Sequence, residues 1–221
     1  MRSLSTNGGF RALTLIEVII VIAVMVVLIG LILPAFVQSG HPHNRPYCVN
    51  NLKQVGLAVR IFANDNEERF PWQVSTNDSG SREYLEVPNS AFRHFQVMSN
   101  ELSTPRILVC PEDRKRVWAT NWVVGFGNPN VSYFVGFNSS ETNANSLLSG
   151  DRYLTGSWQP TNGFLELTSR DTIGWTKRYH DYHGYIAFGD GSVQQLDSAG
   201  LQKALRNSGV ATNRLAVPSG K

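Results

Sequence analysis

Apolar positions are unevenly spread along this chain. Every residue from 18 to 33 is apolar or glycine, so a helix there would present the same greasy surface on all sides. Extended back to Leu13, the run reaches the roughly 20 residues that a membrane span requires, with Glu17 as its single charge. Gly40, Pro42 and Pro46 then fall close together, which predicts a hinge over 39–46. Next, Val49, Leu52, Val55, Val59 and Phe62 recur at helical spacing and predict an amphipathic helix over 47–66. Beyond it, short apolar runs are cut by prolines and turn residues. Strands are expected at 107–110, 131–137, 147–149 and 163–167. Gly189-Asp190-Gly191 joins two alternating runs and predicts a β-hairpin over 183–196. A short helix at 199–207 and a loose tail over 209–221 complete the pattern.

The pattern implies an α+β chain. A long membrane-spanning helix, interrupted after Pro34, precedes a second helix packed on a small antiparallel-sheet head over 67–208. The 221 residues suffice for one domain and an appendage. A net charge of +3 gives no basic stripe and argues against nucleic acid as a partner. Arg2 and Arg11 precede the apolar run and no arginine or lysine follows it before Arg45. That asymmetry places the N-terminus inside and the head outside. The run is too long for a secretory signal's apolar region. Cys48 and Cys110 lack metal-ligand spacing; a disulfide and two buried thiols both fit the sequence.

Glu17 is the informative anomaly, because a carboxylate within a lipid-facing helix costs at least ~2–3 kcal/mol and usually has a partner. Leu13-Thr14-Leu15-Ile16-Glu17 followed by an unbroken apolar run resembles the N-terminus of type IV pilins and type II secretion pseudopilins. The resemblance implies a leader, 1–12, removed by a prepilin peptidase between Ala12 and Leu13, with the new amine methylated. It implies that Glu17, four residues beyond Leu13, pairs with that amine on an adjacent subunit. Pro34 stands where many members carry a helix-bending proline. Ala12 departs from the family's usual glycine before the cut. By the same resemblance, residues 13–38 form the transmembrane and assembly helix. The protein is a single-pass inner-membrane subunit with a cytoplasmic N-terminus and a periplasmic head, and it joins a filament. Its partners would be prepilin peptidase, like or related pilin subunits, the inner-membrane assembly machinery and membrane lipid.

Two further segments carry the resemblance. Cys48-Val49-Asn50-Asn51-Leu52-Lys53-Gln54 is similar to a segment of one pilin-like subgroup. His180 and Asp190-Gly191, with nine residues between, reproduce that subgroup's H-x9-DG segment. Asn51 and Gln54 are suited to satisfying backbone groups of the head. No cofactor is expected; calcium at Asp190 with loop carbonyls is the one ion considered, and His41 and His43 read as solvent-exposed. Arg114, Lys115 and Arg116 read as a solvated loop. Nucleophile-elbow, zinc-protease and phosphate-loop motifs are absent, so no enzyme is expected. The rivals are a tethered enzyme using His180, His183 and Asp190, and a carbohydrate-binding module using Trp118, Trp122, Trp158 and Trp175.

Overall fold

The computed structural model describes residues 14–37, 45–156 and 160–219, with the side chains of the first helix described as far as Gly30. The chain divides into two compact units, Met1–His43 and Asn44–Lys221.

The first unit contributes helix α1, Leu15–Val37. It runs through Pro34 to Val37, so the interruption expected after Pro34 does not appear among the described residues. From 15 to 30 its side chains are all exposed. The membrane-spanning assignment of 13–38 is corrected: among the described residues no helix is long and apolar enough to cross a membrane. The single-pass inner-membrane placement and the periplasmic placement of the head lose their support with it. The predicted leader, Ala12, Leu13 and most of the hinge lie outside the described residues.

The second unit opens with α2, Arg45–Asp65. It buries Leu52, Val55, Val59 and Phe62 of the predicted stripe together with Cys48, and leaves Val49 half-buried. Two short helices follow, α3 (Ala91–Gln96) and α4 (Ser99–Leu102). The strands are β1 (Tyr133–Gly136), β2 (Leu147–Asp151), β3 (Leu154–Gly156), β4 (Phe164–Thr168) and β5 (Ile173–Trp175). A single helical turn, α5 (Lys177–His180), leads to β6 (His183–Phe188), β7 (Val193–Asp197), α6 (Ser198–Asn207) and β8 (Thr212–Ala216).

Six strands form one antiparallel sheet in the order β4-β8-β1-β2-β6-β7, and β3 pairs with β5 apart from it. Alternation along each strand sorts side chains to two faces. Tyr133, Val135, Leu148, Tyr185 and Ala187 join α2 in one core. Phe134, Leu147, Ile186, Phe188 and Leu215 join Leu201 and Leu205 of α6 in the other. The head is therefore layered, with α2 on one face of the sheet and α6 with the small sheet on the other.

Two expectations fail in the head. Residues 107–110 are not a strand; a 3-10 turn, Pro105–Leu108, takes the first half of the segment. Thr104 accepts the Arg106 N–H through its side chain and Pro105 supplies a preset first-turn φ, which overrides the β-propensity of Ile107 and Val109. The expected loose tail is instead structural, since β8 pairs with both β1 and β4.

Candidate functional site

The cap of α1 is local. Thr14 N–H and Oγ1 each donate to Glu17 Oε2 at 3.2 Å, and Glu17 N–H donates back to Thr14 Oγ1 at 3.4 Å. This is a capping box, which satisfies backbone donors that a helix start leaves orphaned. The T-x-x-E spacing of Thr14 and Glu17 signals it in the sequence.

A second constellation lies inside the head. The first turns of α2 place Cys48 in a disulfide with Cys110, Cα to Cα 5.1 Å. His180 ends α5, and Asp181 and Tyr182 follow with φ of 51° and 64°. Two successive non-glycine residues in the left-handed region are uncommon; they reverse the chain into β6 while His180 is buried. Its Nε2 lies 3.4 Å from Cys110 Sγ and 3.5 Å from Asp151 Oδ2. Asp151, the last residue of β2, also accepts the Tyr185 N–H at 2.8 Å. Burial raises the Asp151 carboxyl to about 7; the Tyr185 N–H pulls it down, and the nearby Asp113 charge pushes it further up.

Asp113 behaves oppositely. Burial works against its charge, but Arg152 Nε at 2.8 Å and the Tyr153 hydroxyl outweigh it and hold the carboxyl below its ordinary range. Arg116 is not on a solvated loop as expected. It is buried, with Nε donating to Val131 O and Nη2 to Pro218 O, both at 2.9 Å, and Asp113 4.0 Å away. Tyr133 is buried beside this group; burial, then the Asp151 charge, raises its hydroxyl well above 10. Asp113 and the pair Asp151-Arg152 carried no sequence signal, because the two segments are far apart in the chain and meet only in the fold.

A cavity of about 10 Å³ adjoins the cluster, lined by Cys110, Asp113, Asp151, Trp175, His180 and His183 among others. That is room for roughly one water molecule, far below the ~300 Å³ of an ordinary ligand pocket. Among the described residues one group of metal-ligating side chains converges: Cys48, Cys110 and His180, with ligand atoms within 4.8 Å of one another.

Asp190 is not part of this group. It lies past the far end of β6, which extends on the order of 17 Å at ~3.3 Å per residue. Its Oδ1 accepts the Ser192 N–H at 2.8 Å, and its carbonyl accepts Arg60 Nη1 of α2 at 3.0 Å. Gly191, at φ +82°, meets α2 opposite Gly56; a side chain at this turn would be strained. The H-x9-DG segment thus touches α2 at two separated places, through His180 at the disulfide and through Asp190-Gly191 at Arg60. Asn51 adds a third contact, donating to Val109 O at 3.2 Å. Arg60 also pairs with Glu141 at 3.2 Å.

The tryptophans are dispersed in environment: Trp118 is exposed, Trp122 half-buried against Phe126 and Trp175 buried. Trp158, His41 and His43 lie outside the described residues. No known protein family, characterised protein or solved structure matches this chain.

Proposed function

We propose that the chain is a pilin-like structural subunit without catalytic activity, cut by a prepilin peptidase between Ala12 and Leu13 and assembled through its N-terminal helix into a pilus-like filament. The observation that carries this reading is α1 itself. It is apolar on every side, its side chains from 15 to 30 are exposed, and a carboxylate stands in its first turn. Burial of apolar surface is the main force in association, and copies of the same helix offer a matching surface. The head supports the reading differently: its sequence motifs fasten α2 to the sheet, which is structural work.

Glu17 now has two candidate partners, the cap of its own helix and an amine on a neighbouring subunit. Glu17→Gln separates them, because glutamine still completes a capping box but carries no charge. Co-expression with a prepilin peptidase, followed by mass spectrometry, should give an N-terminus at Leu13 for wild type, Glu17→Ala and Glu17→Gln alike. Both variants should lose most of the filament fraction. Normal assembly of Glu17→Gln would reduce Glu17 to a cap, and a precursor left uncut would remove the basis of the whole reading.

A further inference from the structure

The buried surroundings of the disulfide contain more than a cross-link requires. His180 and Asp151 are polar, both are less than a tenth exposed, and burying such groups is costly unless they are paired. They face each other and the sulfurs at distances with a second meaning. In a tetrahedral zinc site with Zn–S ~2.3 Å and Zn–N or Zn–O ~2.0–2.1 Å, donor atoms sit about 3.3–3.8 Å apart. His180 Nε2 is 3.4 Å from Cys110 Sγ and 3.5 Å from Asp151 Oδ2. Cys48 Sγ falls within the same 4.8 Å cluster. The two bonded sulfurs are too close, and their separation is what reduction changes; Asp151 stands beside His180 but outside the 4.8 Å group, so its carboxylate has to turn toward the sulfurs to join them. The adjoining cavity of about 10 Å³ supplies space at the same point.

We propose that Cys48, Cys110, His180 and Asp151 form a latent divalent-metal site, fitted to zinc, that opens when the disulfide is reduced. The inference is independent of the assembly role. A dithiol reductant supplies two electrons and two protons; the S–S bond breaks, two S–H bonds form, and the reductant leaves as its own disulfide. The metal then displaces both thiol protons, and any proton on Asp151, into solvent. Two metal–sulfur bonds form, together with one to Nε2 and one to a carboxylate oxygen. Either state ties the first turn of α2 to the Cys110 segment, and the metal state adds the ends of β2 and α5, so the joint survives a change of redox environment.

The test uses the full chain, oxidised or reduced with a phosphine that is then removed, titrated with cobalt(II) alone. The reduced protein should bind one equivalent with the intense visible bands of tetrahedral cobalt and a near-ultraviolet thiolate charge-transfer band. The oxidised protein should show neither. His180→Ala should weaken binding about tenfold or more and alter the visible bands; Asp151→Asn should alter them too. Circular dichroism of each oxidised variant checks its fold, and either variant suffices if the other fails to fold. The proposal is overturned if native protein never yields two titratable thiols on reduction. It is equally overturned if the thiolate band is missing, or if every folded variant binds cobalt as wild type does.

Discussion

Helices α1 and α2 are nearly equal in length, at 23 and 21 residues, but differ in where their apolar surface can go. In α2 most apolar positions fall on one stripe that is buried within its own unit, where Cys48, Leu52 and Val55 are fully inaccessible, while Leu57 and Ile61 stand exposed on the other side. In α1 there is no stripe, and from Leu15, 80% exposed, to Ile29, 52% exposed, no described residue covers it. The pattern of a helix thus states where its partner must be. A stripe calls for a partner within the fold, and apolarity all round calls for one supplied from outside it.

The contrast can be broken by mutation. The largest loss should come from unfastening α2. Cys48→Ser with Cys110→Ser opens a loop of sequence separation 62, worth about 4 kcal/mol in the chain-entropy account, read as a lower denaturant midpoint of the head. Next, Leu52→Ala should cost the head roughly 3 kcal/mol through the cavity it leaves. Ile22→Ala in α1 should move that midpoint by less than about 0.5 kcal/mol while reducing the filament fraction. Equal effects of the two substitutions on head stability would erase the distinction between the helices.

Acid sharpens the comparison on a smaller scale. His94 of α3 is fully buried with Nδ1 2.8 Å from Ser81 Oγ, and burial depresses its pKa to about 3. The unfolded chain, near 6.5, therefore binds a proton that the folded head refuses. The contribution of His94 is fully present above pH 6.5 and is lost as pH falls toward 3, at about 1.4 kcal/mol per pH unit. His94→Gln should remove that slope from denaturant titrations across pH 4–6. The described part of α1 buries no titratable group, so its helix content should not follow the same curve.

Much of this was legible before folding was considered. The stripe of α2, the 183–196 hairpin and the cores of β1, β2 and β4 followed from periodicity. α1 was legible as an apolar helix, but its length was read as a membrane span and the structure does not sustain that. Thr14 and Glu17 announced a cap that went unread. The cluster around His180 was only half visible. His180 and the cysteines stood out by residue type, whereas Asp151 reaches them only because β2 pairs with β6 at Gly150 and Ile186. Non-local pairing of that kind leaves no trace in a local window. The same holds for β8, whose Thr212-Asn213-Arg214-Leu215-Ala216 lacks a β-branched run and is made a strand by its two neighbours.

Position in the chain gives β8 a role in timing. It is synthesised after every other strand of the sheet, yet it sits between β4 and β1. Until it emerges from the ribosome, β4 has no place beside β1, and the core shared with α6 lacks Leu215. The head therefore cannot finish folding during translation of residues 45–207, and a nascent chain stalled before Thr212 would leave its sheet split in two.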